Sequence, residues 1–341
     1  MAETADQPLL GGPYFEDFRV GQVFDDAPGL TLTSGHAALH QALTGDRLRL
    51  ALDASLSQAV TGREGLLAHP NLVCDVSIGQ STGPTQRVLG NLFYRGLVLE
   101  RQVHIGDTLR TRTEIVALKE NRRKPDAQAT GLVVLRIRTV DQEDRPVLDY
   151  WRCPMIPLRE GAAETGHTDD FSDITEALDP VRLKSATPDG WRLDPLRANA
   201  PGPYFADLSP GDELTVEAGE TVTAAPELAR LTLNLATAHT DATSGARGRR
   251  LVYGGQTISV AAAHATRAIE AIATIVAWER ADHLGPVFEG DVLHTELSVE
   301  HTTPLDSGGG LAGLRARVSA ARDGTDEPQA VLDWSFMALV A

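Results

Sequence analysis

An imidazole, a carboxamide and a carboxylate stand close together at Asn234, His239 and Asp241. Of the three, His239 has the free pKa, about 6.5, that suits proton transfer in both directions near neutral pH. Asn234 can orient a water but cannot take its proton, and Asp241 is expected to orient or anchor the loop. A few residues on, Tyr253-Gly254-Gly255-Gln256 opens the apolar run Thr257-Ile258-Ser259-Val260-Ala261-Ala262-Ala263-His264-Ala265. The first N–H groups of a helix have no partner inside it. With no Cβ at Gly254 or Gly255, those of Gly254, Gly255 and Gln256 can bind an oxygen that is gaining negative charge. Taken singly, the pieces are ordinary: His-x-Asp occurs in local turns, and Gly-Gly precedes many helices. Their spacing makes the joint case.

That case strengthens because the chain repeats itself. Pro13-Tyr14-Phe15-Glu16-Asp17 returns as Pro203-Tyr204-Phe205-Ala206-Asp207. Gly106-Asp107-Thr108-Leu109 returns as Gly290-Asp291-Val292-Leu293, and Val147-Leu148-Asp149-Tyr150 as Val331-Leu332-Asp333-Trp334. Three matches in one order mean two copies of one unit. The expected division is a first unit over 1–158, a connection over 159–202 and a second unit over 203–341. In each copy a turn-rich entry and a short strand lead to a short helix, Ala37 to Leu43 and Pro226 to Leu235. A longer helix follows, opening at His69-Pro70-Asn71 in the first copy and at Gly254 in the second. The remainder alternates as strands: Leu109–Val116, Gly131–Val140, Leu293–Val299 and Leu311–Ala320. Strands that come in a run after a helix predict an antiparallel sheet and class α+β.

The 341 residues suffice for two cores. A formal net charge of −16 argues against nucleic acid or an anionic membrane as partner. Two cysteines, Cys74 and Cys153, build neither a disulfide framework nor a metal site, so no metal and no cofactor are expected. The acidic opening residues do not read as a signal peptide, and no apolar stretch is long enough to span a bilayer. A cytoplasmic location is the default expectation. Two basic clusters remain, Arg122-Arg123-Lys124 at a hairpin tip whose counterpart in the other copy is Ser307-Gly308-Gly309-Gly310, and Arg247-Arg249-Arg250 beside the glycine pair. Either could hold a phosphate or a carboxylate. The first also reads as a solvated tip.

The segments YFEDFRVGQ (14–22), GDTL (106–109), NLATAHTD (234–241), GRRLVYGG (248–255) and VLDWSFMAL (331–339) together resemble the MaoC-like enoyl-CoA hydratases. Among these, the chain is most similar to the mesaconyl-CoA hydratases, also called β-methylmalyl-CoA dehydratases. The resemblance implies a double hotdog, in which each unit wraps a central helix with an antiparallel sheet. It implies reversible hydration of an α,β-enoyl-CoA, with the CoA thioester as substrate and a branched or dicarboxylic acyl group as the candidate. MaoC-like hydratases have Asp-x-Asn-Pro-x-His-x-Asp ahead of the helix, and its first Asp and its His hold the water. Here Asn234 takes the place of that Asp, as it does in the mesaconyl-CoA branch, which leaves His239 as the main acid and base. The first copy has Asp46 in the matching region but Ala51 where His is wanted, so it is expected to serve as scaffold. Gln256 stands where close relatives often have His. Tyr253 is expected to line the acyl pocket, and Arg249, Arg250, Arg122, Arg123 and Lys124 are the candidate anion contacts. A hotdog thioesterase and a non-catalytic acyl-CoA-binding protein are the competing readings. One chain already supplies the usual hotdog pair, so a monomer or a homodimer is expected.

Overall fold

The structure is a computed structural model that describes residues 11–341 apart from 126, 175–176, 189, 244–247, 307 and 325–326. Arg247 and Ser307 therefore lie outside the described residues. The first copy runs β1 (Val23–Phe24), β2 (Leu30–Thr31), α1 (Ser34–Thr44), α2 (Ala54–Thr61), α3 (Pro70–Gln80), β3 (Gly90–Leu99), β4 (Thr108–Glu120), β5 (Thr130–Val140) and β6 (Pro146–Pro157). Two short helices follow, α4 (Pro180–Ala186) and α5 (Asp194–Asn199), in a stretch whose sequence shows no strong period. The second copy runs β7 (Glu213–Thr215), β8 (Glu220–Thr221), α6 (Ala225–Leu231), α7 (Thr237–Thr240), α8 (Gly254–Ala268), β9 (Ile272–His283), β10 (Val292–Pro304), β11 (Gly310–Ala321) and β12 (Gln329–Val340).

Local chemistry explains the helix limits. The Thr33 hydroxyl accepts the His36 N–H at the start of α1, and Gly45 ends that helix at φ 67°. Asp53 caps α2 through the Leu56 N–H, and Gly62 closes it at φ 73°. Every residue of α3 is buried, as are twelve of the fifteen in α8. Helices apolar on most sides can only be central. Two buried polar side chains of α3, Ser77 and Gln80, are bonded to the surrounding strands and loop. Ser77 Oγ lies 2.6 Å from Thr139 Oγ1 and 3.0 Å from the Tyr150 hydroxyl. Gln80 donates to the Pro28 and Leu109 carbonyls, each at 2.9 Å.

One antiparallel sheet wraps both helices, in the order β1-β4-β5-β6-β3-β9-β12-β11-β10-β7, which reads alike from either end. Its two halves meet where β3 pairs with β9, with Tyr94 opposite Ala281 and Leu97 opposite Trp278. Bidentate pairs repeat on the partly exposed face. Arg136 binds Asp149 at 3.0 and 2.8 Å, and Arg315 binds Asp333 at 2.8 and 2.6 Å. Phe15 and Phe205 each lie over a strand glycine, Gly131 and Gly310, where a Cβ would come within 2.3 Å of the ring.

The central helices touch through Ser259 Oγ and Asp75 Oδ2, 3.3 Å apart. Asp75 also faces His40 at 3.7 Å, and His69 Nε2 lies 3.1 Å from Asp46 Oδ1. Asp46 further accepts the Leu48 N–H and borders a hollow with Arg47, Arg49 and Glu270. This buried cluster occupies the place in the first copy that Asn234 occupies in the second.

Gly79 makes the tightest join. A Cβ there would sit 1.7 Å from the Thr232 carbonyl oxygen, in the turn that leads to Asn234. Backbone against backbone leaves nothing to give. Gly79→Ala should therefore lower stability by about 1–3 kcal/mol or more, read as a drop in Tm. Gly35→Ala in α1 meets only ordinary contact at 3.4 Å and should raise Tm slightly. Equal effects from the two substitutions would remove the steric explanation.

Candidate functional site

α6 ends at Leu231, four residues short of the sequence expectation, because Leu233 turns into the left-handed region at φ 61°. A β-carbon is strained there, and the turn re-aims the chain at the other copy. The Leu235 N–H donates to Thr82 Oγ1 at 2.9 Å, and the Thr237 N–H to the Gln86 carbonyl at 3.1 Å. The segment bearing Asn234 and His239 is thus tied to residues that follow α3.

His239 sits on α7, a single turn, with its ring 5.5 Å from that of Tyr253. Its Nδ1 lies 2.9 Å from the Leu251 carbonyl oxygen. A carbonyl only accepts, so Nδ1 carries the proton and Nε2 presents a lone pair. Burial lowers the imidazole pKa below its free value, partly opposed by the Leu251 carbonyl and reinforced by Arg152. The ring is neutral and basic at Nε2. Asn234 Oδ1 accepts the Ala236 N–H at 2.9 Å, and its amide nitrogen has no acceptor among the described residues.

These groups line a cavity of about 380 Å³ between the two copies. Tyr253, Gly254, Leu251 and Thr257 come from the second copy; Ile78, Thr82, Tyr94 and Arg152 come from the first. Leu89, Leu92 and Leu284 leave an exposed apolar rim. Three wall residues were not singled out in the sequence. Tyr94 is buried, and burial raises its phenol pKa. Burial holds His283 down at about 4, and its Nε2 has no partner among the described residues. Arg152 donates from Nη2 to the Ser81 carbonyl and Thr85 Oγ1 at 2.8 and 2.9 Å. All three sit on strands beside apolar residues, so periodicity hides them.

Several sequence expectations are corrected. The Gln256 N–H is no free donor: it bonds the Tyr253 carbonyl at 2.9 Å, and its side chain donates to the Thr223 carbonyl. The open N–H groups at the start of α8 are those of Gly254 and Gly255, which have no acceptor among the described residues. Nor is Gly255 kept bare for a ligand. A Cβ there would lie 2.0 Å from Asp75 Oδ1 and 2.6 Å from the Tyr253 ring. Asp75 also supplies a carboxylate at this helix start, which the run Gly254–Gln256 lacks, yet it turns into the core and stays out of the cavity. Asp241 is exposed, and its Oδ1 accepts the Thr243 N–H and hydroxyl, so it caps a turn outside the site. Arg249 lies over the Phe288 ring and donates to the Glu289 carbonyl, while Arg250 bonds the Glu289 carboxylate. Arg123 binds Glu120 and the Ala162 carbonyl, and with Lys124 it borders a different hollow. Neither these arginines nor Arg122 line the cavity.

Among the described residues, no three His, Cys, Asp or Glu side chains are grouped to hold a metal ion, and no helix is long and apolar enough to cross a membrane.

Known proteins are similar to this chain in sequence and fold. The chain is 30% identical to a mesaconyl-CoA hydratase of Cereibacter sphaeroides, over 96% of this chain and 98% of that one. It is 28% identical to a beta-methylmalyl-CoA dehydratase of Chloroflexus aurantiacus, over 96% and 97%. A Mycobacterium tuberculosis protein described as a double hotdog superposes with a TM-score of 0.89 at 49% identity, covering 97% of this chain and 99% of that one. A MaoC domain dehydratase from Chloroflexus aurantiacus gives 0.85 at 25%, covering 99% of both. The fold is a double hotdog, and a family model described as mesaconyl-CoA hydratase matches residues 2–301. The chain belongs to the mesaconyl-CoA hydratase family.

Proposed function

We propose that this protein adds water reversibly across the α,β double bond of an enoyl-CoA whose acyl group is small and branched or dicarboxylic. The observation that carries this is the neutral His239, its Nε2 lone pair free, in one cavity with the open start of α8. In the hydration direction, Nε2 takes a proton from water while the water oxygen bonds to Cβ. The π electrons move onto the thioester oxygen. The Gly254 N–H, with Gly255 beside it, receives that charge; one such donor is typically worth about 3 kcal/mol. The imidazolium then returns its proton to Cα, so one H and one OH are added and His239 is regenerated. The Asn234 amide nitrogen orients the water, a role that needs a donor and no proton transfer. The apolar rim suits the thioester arm. The names of the relatives support the CoA thioester and the hydro-lyase direction.

His239→Ala in a variant that melts normally should lower kcat by about 10²–10⁴. His239→Gln should not restore it, since a carboxamide cannot carry the proton. Retention of more than about a tenth of kcat would leave His239 a structural residue.

The wild-type rate should also report the lowered pKa. Protonation removes the base, so the acid limb of kcat/KM should fall below pH 6.5, with full activity held above it. An acid limb above 6.5 would contradict the neutral, buried imidazole.

Asp46 belongs to the buried cluster in the other copy, away from the cavity. Asp46→Asn should therefore lower Tm, at a cost of about 1–3 kcal/mol, while kcat stays within a few-fold. A loss of several hundred-fold in kcat with an unchanged melt would move Asp46 into the catalytic machinery.

A further inference from the structure

Among the described residues, Arg152 is a buried cation without a counterion. Its side chain belongs to a residue 3% exposed, in a protein whose other well-covered arginines are paired: Arg95 with Asp282 and Arg322 with Asp291. Its two hydrogen bonds go to neutral acceptors, the Ser81 carbonyl and the Thr85 hydroxyl. Among the described residues, Nε is buried and unpartnered, Nη1 has no acceptor, and no carboxylate pairs with the guanidinium. Guanidinium cannot shed its proton to relieve this. A fixed charge so placed is costly unless something anionic completes it. It borders the cavity that holds His239 and Asn234.

We infer that Arg152 binds a carboxylate on the acyl group of the substrate and selects for it. This rests on the reading of the cavity as an enoyl-CoA site. The phosphates of CoA are excluded by connectivity: they lie beyond the long pantetheine arm, whereas Arg152 shares the enclosed space with the residues that act on the double bond. Nη2 spends its two hydrogens on Ser81 and Thr85, which leaves Nη1 to donate to a carboxylate oxygen. The two bonds from Nη2 to the segment after α3 hold the guanidinium in place. An acyl group ending in methyl would leave the guanidinium unpaired, and sites built to bond a polar group reject analogues that lack it. Tyr94, opposite Arg152 in the β3–β6 ladder, flanks the same space.

The test compares mesaconyl-CoA with tiglyl-CoA, in which a methyl group replaces the carboxylate on Cβ. Wild-type protein should favour mesaconyl-CoA in kcat/KM by about 10²–10⁴. In Arg152→Gln that preference should collapse through loss of mesaconyl-CoA activity, with tiglyl-CoA changed by less than about threefold. Arg152→Lys, which keeps the charge but loses the planar guanidinium and its anchoring bonds, should recover only part of it. Equal losses on both substrates would overturn the proposal and leave Arg152 a general support, and so would a wild type without preference. Thermal melting of each variant guards against misfolding. Binding of both thioesters to wild type and Arg152→Gln, measured by calorimetry, decides the matter without turnover. If wild type hydrates neither yet binds mesaconyl-CoA through Arg152, the hydratase reading fails while this inference stands. If affinity for the two is equal in wild type, the inference fails.

Discussion

The pairing of β3 with β9 governs the rest of this structure. It fuses two sheets into one and leaves each copy without a free inner edge. It also fixes which side chains face each other across the join. Tyr94 sits opposite Ala281, His283 ends β9, and Arg152 lies next door on β6. The cavity opens beside this seam, so its walls come from both copies by construction. Neither copy can form the site by itself, and the duplicated chain supplies internally the contact that two separate hotdog chains would make.

Electrostatics then divides the labour between the copies. In the second, burial keeps His239 uncharged, and the one charge close by, on Arg152, pushes the same way. In the first, a buried His–Asp cluster answers its own charges: Asp46 is held below its usual range chiefly by His69, against the cost of burial. The two places are related by the repeat and differ in which polar atoms are engaged. Asp46 meets Leu48 and His69 through Oδ1 while its Oδ2 is buried without a hydrogen-bond partner, and Asn234 keeps an amide nitrogen without an acceptor among the described residues.

Much of this was legible in the sequence. The repeated segments, the antiparallel class, the helix starting at Gly254 and the choice of His239 as a candidate all follow from spacing and residue type. What was hidden depends on pairing across the chain. Arg152 sits in the strand Pro146–Pro157 among apolar residues, and only the folded chain shows that it shares a cavity with the second copy's histidine. The strands Gly90–Leu99 and Ile272–His283, which carry the seam, were not picked out, because strands buried on both faces lack alternation. Asp241 and the arginines near Gly254 attracted notice by proximity along the chain, yet each finds a partner at the surface. The glycine pair was rightly singled out for a reason that is only half correct. Gly254 borders the cavity, but Gly255 is bare because Asp75 and Tyr253 press on it.

The close approach of Gly79 to the Thr232 carbonyl bears on how such a chain can change. The contact is backbone to backbone, so no side chain on either element can be enlarged to compensate for a shift in the other. The two copies diverged freely at Asp46 and Asn234, but at this point they are locked in step. A descendant that shed either half would keep neither half of the activity, and one that recombined halves from distant lineages would have to bring matching backbones as well as matching residues. Duplication here produced a single unit of inheritance.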